Sequence, residues 1–160
     1  MSDEQALQIV ELNADHLPDV LEIEKASFRD PWTLQSFRNF IILYRTNWVA
    51  LRNGKVAGYL ITQWVLDEIH ILNVAVRQEY RRQGVAAELL NFLFQRGAGR
   101  RIKSVYLEVR ESNEAARLLY TRFGFSELGL RKSYYQDGEN ALVMHRRTKS
   151  SDGDMSQEGA

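Results

Sequence analysis

The stretch from Glu68 to Arg96 reads EIHILNVAVRQEYRRQGVAAELLNFLFQR and joins a strand pattern to a helix pattern through one polar turn. Glu68 to Val76 predicts a long strand, and Gly84 to about Arg96 predicts a helix with its leucines on one face. Ser104 to Val109 follows as a second apolar strand, typical of a central position in a sheet. This order of strand, helix and strand predicts a right-handed parallel crossover.

The turn inside this stretch, residues 81–86, has the composition of an anion-binding helix start. Free backbone N–H groups and the positive end of the helix dipole meet at such a start. Gly84 and Ala86 leave that backbone open to a pyrophosphate, and Arg81 and Arg82 add cationic donors. Taken alone, the turn is also compatible with a solvated basic loop before a helix that starts with small residues, although this is the weaker interpretation. It lacks the third glycine and the ribose-binding acid of a dinucleotide site and the lysine of a P-loop.

Turn signals and periodicity outside this stretch predict the order β-α-α-β-β-β-α-β-α-β-β. The corresponding fold class is α/β: one mixed, mostly antiparallel sheet with helices on both faces and the parallel crossover at its centre. The strongest single signal is Asn53-Gly54, which predicts a hairpin. The remaining predicted elements are a strand over Leu7 to Leu12, a helix to about Phe28 capped by Asn13 or Asp15, a helix from Thr33 to Phe40, a helix from Asn113 to Phe123, and a hairpin of Phe125 to Tyr135 with Ala141 to His145.

Composition limits the class of protein. The 160 residues predict one domain over 1–147 and a polar, disordered tail over 148–160. Equal numbers of basic and acidic side chains, 21 each, argue against a general nucleic-acid binder. The absence of cysteine excludes disulfides, thiolate metal sites and cysteine nucleophiles. We expect a soluble, cytoplasmic protein, since neither a secretory signal nor a membrane-length apolar run is evident.

Short motifs along residues 6–147 resemble one family. They are Asp30-Pro31-Trp32-Thr33, Asn73-Val74-Ala75-Val76, the Arg-x-x-Gly-x-Ala turn, Leu107-Glu108-Val109-Arg110, Ser112-Asn113-Glu114-Ala115-Ala116, Leu119-Tyr120, Gly124-Phe125 and Tyr134-Tyr135. In this order they are similar to the GNAT acetyltransferase superfamily, and within it to the bacterial RimI-type ribosomal-protein-alanine N-acetyltransferases. Ala86 departs from the family's commoner glycine.

The resemblance implies acetyl-CoA as co-substrate and a set of residues that bind it. Main-chain groups of Val74, Ala75 and Val76 would bind the pantetheine arm, although core packing also explains their apolar side chains. The residues around the pyrophosphate would be Arg81, Arg82, Gln83, Gly84, Val85, Ala86 and Ala87. Asn113 would bind the cofactor arm, or alternatively only cap the helix that follows it.

Two residues are candidates for acid–base chemistry. Glu108 is the carboxylate in an otherwise apolar strand, and the resemblance implies that it is the general base that deprotonates the attacking amine. The alternative is an ordinary salt bridge to Arg110 or Arg77. Tyr120 is implied to be the general acid that protonates the departing thiolate, and the alternative is a core tyrosine. The amine would attack the thioester directly, without a side-chain nucleophile.

Substrate-side residues are implied in the early helix–loop and the late hairpin: Trp32, Tyr134 and Tyr135, which packing would explain equally well. Glu24 lies on the apolar side of the first helix, where it would bind the substrate ammonium or extend outward. The three histidines, His16, His70 and His145, are not spaced as metal ligands, so we expect no metal.

The implied function is acetylation of the N-terminal α-amine of a protein, with a ribosomal protein that begins with alanine as substrate and neither nucleic acid nor membrane as partner. An alternative within the same chemistry is acetylation of lysine or of a small-molecule amine. Another class of function is an acyl-CoA-binding module without turnover, for which neither Glu108 nor Tyr120 would be needed.

Overall fold

The computed structural model describes residues 6–148, so the N-terminal residues 1–5 and the predicted tail, apart from Thr148, lie outside the described chain. The strands are β1 Leu7–Glu11, β2 Asn47–Arg52, β3 Lys55–Val65, β4 Glu68–Val76, β5 Ser104–Arg110, β6 Ser126–Arg131 and β7 Ala141–Arg147. The helices are α1 Leu17–Ser27, α2 Leu34–Leu43, α3 Val85–Ala98 and α4 Glu114–Arg122.

The strands form a seven-stranded sheet in the order β1-β2-β3-β4-β5-β7-β6. The β4–β5 pair is parallel, and its register runs from Glu68↔Ser104 to Ile71↔Leu107. Pairs β1–β2, β2–β3, β5–β7 and β6–β7 are antiparallel. The predicted fold class is thereby confirmed: a mixed, mostly antiparallel sheet with helices and one parallel crossover through α3.

Local sequence accounts for several element boundaries. Thr33 caps α2 by accepting a hydrogen bond from the backbone N–H of Ser36 at 3.1 Å. Asn53 and Gly54 both have positive φ, 54° and 77°, as a two-residue hairpin turn requires. Pro18 lies in the first turn of α1, where a missing N–H costs little.

The chain forms two compact units, and the first comprises residues 6–63 and 72–93 of the described chain. Its core packs one face of α1 and α2 onto strands β2 and β3. The buried members are Leu12, Leu17, Val20, Ile23, Phe37, Val49, Val56, Tyr59, Ile61 and Ala75. Burial of these apolar surfaces is the main favourable contribution to the stability of this unit.

The second unit comprises residues 64–71 and 94–148. Side chains along β5 alternate strictly, with Val105, Leu107 and Val109 buried and the residues between them partly exposed. Strand β5 is therefore apolar on one face only, and its other face carries Tyr106, Glu108 and Arg110.

The late hairpin differs from its prediction. Strand β6 ends at Arg131 and not at Tyr135, and a nine-residue connection, 132–140, leads to β7. Ser133 has a positive φ of 51°, and its backbone N–H donates to the side chain of Asn140 at 3.0 Å. This turn ends the strand in spite of the aromatic residues that follow, because a positive φ is incompatible with extended backbone.

Among residues 6–148, none of the helices has the length and apolar character that crossing a membrane would require.

Candidate active site

The predicted anion-binding turn of the first unit lies at the start of a helix. Gly84 directly precedes α3, and its carbonyl accepts the backbone N–H of Glu88 at 3.0 Å, so it is the residue that opens the helix. Its φ is +82°, which favours glycine, and a Cβ at this position would meet no atom of the described chain within 4 Å. The space beside the free N–H groups is open.

A second glycine brings this helix close to the sheet. A Cβ on Gly58 of β3 would lie 2.8 Å from the carbonyl oxygen of Ala75 and 3.0 Å from the side chain of Val85. Only a residue without a side chain fits between β4 and the first residue of α3 here. Gly58 therefore sets the first turn of the helix against the end of β4.

The side chains of the turn are held by neighbours. Arg81 donates from Nε to the carbonyl of Val76 at 3.1 Å. Gln83 donates to the carbonyl of Glu79 at 3.1 Å and accepts from the guanidinium of Arg52. Arg52 is buried on β2, where its guanidinium carbon lies 5.7 Å from the ring centroid of Tyr80. Sequence reasoning missed Arg52, because an arginine before a hairpin turn has no distinguishing pattern.

The remaining residues of the turn lie before or on the first turn of α3. Arg82 has a positive φ of 63° and lies exposed beside Gly84. Val85 is buried, whereas Ala86 and Ala87 are partly exposed on the first turn of α3. Val74, Ala75 and Val76 continue β4 beyond Ile71, the last residue of its register with β5.

Glu24 of α1 is a buried carboxylate, 1% exposed. It accepts hydrogen bonds from the Tyr59 hydroxyl, from Nδ2 of Asn73 at 2.8 Å and 3.0 Å, and from the backbone N–H of Trp32 at 2.9 Å. The alternative that Glu24 extends outward is wrong, since three elements supply donors to it. Burial and then the negative charge of Glu24 raise the pKa of the Tyr59 hydroxyl well above its usual range.

Trp32 packs as an aromatic residue of the first unit. Its ring centroid lies 5.1 Å from that of Phe37 and 5.5 Å from that of Phe40. The tilted and edge-on geometries are those that aromatic pairs prefer. Packing therefore accounts for most of the Trp32 side chain, which is partly exposed at its remaining surface.

Glu108 lies on the polar face of β5 in the second unit, and its side chain is 11% exposed. Oε1 is 2.6 Å from Nε2 of His70 on β4, and Oε2 is 4.0 Å from Nε of Arg131 on β6. The salt-bridge partners considered for Glu108 are engaged elsewhere: Arg110 contacts Asp137 and Glu139, and Arg77 contacts Asp19 and Glu22. Sequence reasoning missed His70 as the partner of Glu108, because only the register of β4 on β5 brings the two together.

Tyr120 and Asn113 occupy the two ends of α4. Tyr120 is 7% exposed and packs edge-on against Phe125, with ring centroids 5.6 Å apart. Burial raises the pKa of its hydroxyl well above the usual range. Asn113 caps α4 by accepting the backbone N–H of Ala116 at 3.1 Å. This cap uses Oδ1 and leaves the amide nitrogen as a separate donor group.

The connection 132–140 carries Tyr134 and Tyr135 and is tied to the end of β5. Nη1 of Arg110 lies 2.9 Å from Asp137 and 2.8 Å from Glu139, and its guanidinium carbon is 4.1 Å from the ring centroid of Tyr135. Hydrogen bonds from Ser112 and Arg110 lower the pKa of Glu139 to about 2. Tyr134, 49% exposed, stands edge-on to Tyr135 with ring centroids 5.1 Å apart.

The histidines are dispersed. His16 closes a capping box with Asn13, His70 binds Glu108, and His145 stacks on Tyr106 with ring centroids 5.6 Å apart. Within residues 6–148, no group of three histidine or carboxylate side chains is arranged to hold a metal ion. The expectation that no metal takes part stays a prediction.

Known proteins resemble the chain over most of its length. A sequence model of the acetyltransferase (GNAT) family matches residues 17–125. The [ribosomal protein bS18]-alanine N-acetyltransferase of Escherichia coli strain K12 is 38% identical over 139 residues, which are 85% of this chain and 94% of that protein. The putative [ribosomal protein bS18]-alanine N-acetyltransferase of Bacillus subtilis strain 168 is 36% identical over 136 residues, 83% of this chain and 90% of that one.

A solved structure shares the fold. The crystal structure of the ribosomal-protein-S18-alanine N-acetyltransferase from Escherichia coli has a TM-score of 0.82 and 35% identity to this chain, and the superposition covers 91% of this chain and 96% of that one.

Proposed function

The chain belongs to the acetyltransferase (GNAT) family and is an acyltransferase, and we propose that it transfers the acetyl group of acetyl-CoA to the α-amine of an N-terminal alanine, that of ribosomal protein bS18. The observation that carries this proposal is the 38% identity, over 94% of its length, to an enzyme named for that reaction. The proposed location is the cytoplasm, where ribosomal proteins are made. Neither nucleic acid nor a membrane is a proposed partner.

The start of α3 is the proposed site for the pyrophosphate of acetyl-CoA. Gly84 opens the helix with a positive φ and open space where a side chain would project. Free N–H groups in the first turn are donors suited to a phosphate, and the exposed Arg82 adds a cation. Main-chain groups of Val74, Ala75 and Val76 are the proposed contacts of the pantetheine arm, because β4 continues beyond Ile71, the last residue of its register with β5. Asn113 is proposed to donate from its amide nitrogen.

The proposed reaction is a direct attack of the amine on the thioester carbonyl. Glu108 takes the proton that the amine must lose before its lone pair is available. The new C–N bond forms, the C–S bond breaks, and the electron pair of that bond leaves on sulfur. Tyr120 is proposed to donate its phenolic proton to the thiolate, since a tyrosine hydroxyl carries its proton at neutral pH.

The proposed peptide-side contacts are Trp32, Tyr134 and Tyr135. Arg110 donates hydrogen bonds to Asp137 and Glu139, which hold the exposed connection 132–140 in a fixed conformation. A fixed conformation supports the proposed role of the two tyrosines in this connection. Binding of the substrate ammonium by Glu24 stays a prediction, and it competes with a structural role for this carboxylate. Its carboxylate already accepts four hydrogen bonds, so an ammonium would have to displace one of these donors.

A peptide panel tests the acceptor. We expect acetyl-CoA-dependent acetylation, followed by mass spectrometry, of a peptide with a free N-terminal alanine, and no product from the same peptide with a blocked α-amine and one internal lysine. Acetylation of the blocked peptide on lysine would contradict the proposal. Absence of turnover with every amine, together with binding of acetyl-CoA, would favour the non-catalytic module.

A pair of variants tests the cofactor site. Gly84→Glu and Gly84→Gln impose the same backbone strain and similar bulk, but only the first places a negative charge at the helix start. We expect Gly84→Glu to bind acetyl-CoA at least about tenfold more weakly than Gly84→Gln, measured by calorimetry or by ligand-dependent thermal unfolding. Equal affinities would exclude a phosphate contact at this position.

A further inference from the structure

The candidate base has a titratable partner. Nε2 of His70 lies 2.6 Å from Oε1 of Glu108, and the imidazole side chain is 36% exposed where the carboxylate is 11% exposed. His70 stands opposite Tyr106 in the parallel register, and Glu108 follows two residues later on the same face of β5. The two side chains are 38 residues apart in sequence.

The ionisation of Glu108 sets where the proton of this contact lies. An ionised carboxylate accepts hydrogen bonds and has none to donate, so with Glu108 ionised Nε2 of His70 carries the proton between them. In a neutral imidazole the other nitrogen, Nδ1, then holds a free lone pair. A neighbouring carboxylate also stabilises the imidazolium that forms when Nδ1 accepts a proton.

Intrinsic basicity favours the imidazole as the resting place of an added proton. Carboxylates ordinarily titrate near pH 4.3 and imidazoles near pH 6.5, a difference of about two units. A base works best when its own titration lies near the working pH. An imidazole coupled to a carboxylate meets that condition better than a carboxylate alone.

The surroundings of His70 contain charges of both signs. Glu68 precedes it by two residues on β4, and the stacked pair of Tyr106 and His145 continues the row across β5 and β7. Arg131 of β6 approaches Glu108, and the negative charge of Glu108 acts on Tyr135 of the connection 132–140. Among these charged groups, Glu108 contacts the imidazole directly through Oε1, and Arg131 lies near the other carboxylate oxygen, Oε2.

We propose that His70 is the proton-holding partner of Glu108 in acetyl transfer, a role that rests on the proposed function of Glu108 as base. One N–H bond of the substrate ammonium breaks, and its electron pair stays on nitrogen for attack on the thioester. Glu108 takes the proton and gives it up to water, while Nδ1 of His70 takes a proton from water, so the charge of the pair goes from −1 to zero and the added proton comes to rest on the imidazole. The exposed edge of His70 releases it to water.

The test is the pH dependence of kcat at saturating acetyl-CoA and peptide for wild type, His70→Gln and His70→Ala. Glutamine keeps an N–H that can donate to Glu108 but does not titrate, so it separates positioning from proton holding. We expect kcat of His70→Gln at neutral pH to fall about tenfold or more, and its acid limb to move from the imidazole range toward the carboxylate range. Protonation of the peptide's own α-amine also lowers the rate at acid pH, and this effect is the same for wild type and for both His70 variants.

His16→Gln is the matched control, because His16 accepts a hydrogen bond from the backbone of Asn13 in the first unit, and we expect its profile to follow wild type. A profile of His70→Gln that superimposes on wild type would overturn the inference and leave Glu108 as a base acting alone. Full activity of His70→Gln together with loss in His70→Ala would reduce His70 to a positioning residue and also overturn it. A wild-type protein without acetyltransferase activity would instead refute the proposed function itself.

Discussion

Two carboxylates, one in each unit, are withdrawn from solvent in different ways. Glu24 is 1% exposed and is surrounded by a hydroxyl, a side-chain amide and a backbone N–H. The Glu108 side chain is 11% exposed and is paired with an imidazole and approached by an arginine. The first carboxylate is satisfied by uncharged donors, and the second by groups that carry or gain charge.

From this difference we infer a structural role for Glu24 and propose a chemical one for Glu108. The donors around Glu24 come from the segment before α2 and from strands β3 and β4, so the carboxylate joins three elements of its unit. Buried carboxylates are costly unless each lone pair is used, and a satisfied one has little freedom to exchange protons. Glu108 contacts an imidazole whose side chain is partly exposed to solvent, an arrangement suited to proton transfer.

Replacing a carboxylate by an amide is expected to lower the stability of the protein more at Glu24, in the first unit, than at Glu108, in the second. Glu24→Gln places an NH2 group against donors, so at least one buried donor loses its partner. We expect a loss of about 1–3 kcal/mol in the free energy of unfolding, measured by urea denaturation. Glu108→Gln is the matched substitution, and we expect a smaller loss of stability from it, because glutamine keeps an oxygen that can accept the Nε2–H of His70.

The same Glu24→Gln protein separates folding from substrate binding. We expect its KM for the alanine peptide to equal that of wild type once the folded fraction is taken into account. A raised KM with unchanged stability would contradict the structural role and would favour the prediction that Glu24 binds the substrate ammonium.

The Tyr59 hydroxyl is one of the donors to Glu24, and it can be removed by itself. Tyr59→Phe deletes the hydroxyl that donates to Glu24 and leaves the rest of the buried ring in place. We expect a loss of roughly 1.5–3 kcal/mol in unfolding free energy, since hydrogen bonds to charged groups are stronger than neutral ones. Tyr44→Phe is the control, because Tyr44 binds the neutral Gln63, and its cost should be about 0.5–1.5 kcal/mol. Equal costs would indicate that Glu24 is not charged in the folded protein.

The smallest expected effect concerns the connection 132–140. The folded pKa of Glu139 is about 2, below the ordinary value for a glutamate. A depressed pKa stabilises the fold at pH values above the ordinary one, and this contribution is lost as the pH falls toward about 2. We therefore expect the difference in Tm between wild type and Glu139→Gln to be present at pH 6 and to shrink below about pH 4. A difference that is independent of pH would show that the ionised carboxylate does not hold the connection.

Local signals in the sequence were sufficient for most of the fold. Strand β4 has the predicted bounds, Glu68 and Val76, since its apolar run ends in a polar turn. The Asn53-Gly54 turn and the Thr33 cap were also predicted, because short-range chemistry determines both. The end of β6 was not, because the positive φ of Ser133 depends on Asn140, seven residues away in sequence.

The candidate site was predicted less completely, for the same reason. Periodicity placed Glu24 on the apolar side of α1, but its burial depends on Tyr59 and Asn73, which are 35 and 49 residues away. Glu108 was singled out as the carboxylate of a strand read as apolar on both faces, whereas the structure shows that only one face of β5 is apolar. Its partner His70 was beyond prediction, because a shift of one residue in the parallel register would turn the imidazole to the opposite face.

The most direct test of the account is the single-turnover rate of acetyl transfer to the N-terminal alanine peptide, at saturating acetyl-CoA, by Glu108→Gln and Glu24→Gln. We expect Glu108→Gln to transfer the acetyl group roughly 100- to 10,000-fold more slowly than wild type, with unchanged affinity for acetyl-CoA. Folded Glu24→Gln should keep the wild-type rate. A Glu108→Gln rate within roughly threefold of wild type would contradict the assignment of the base.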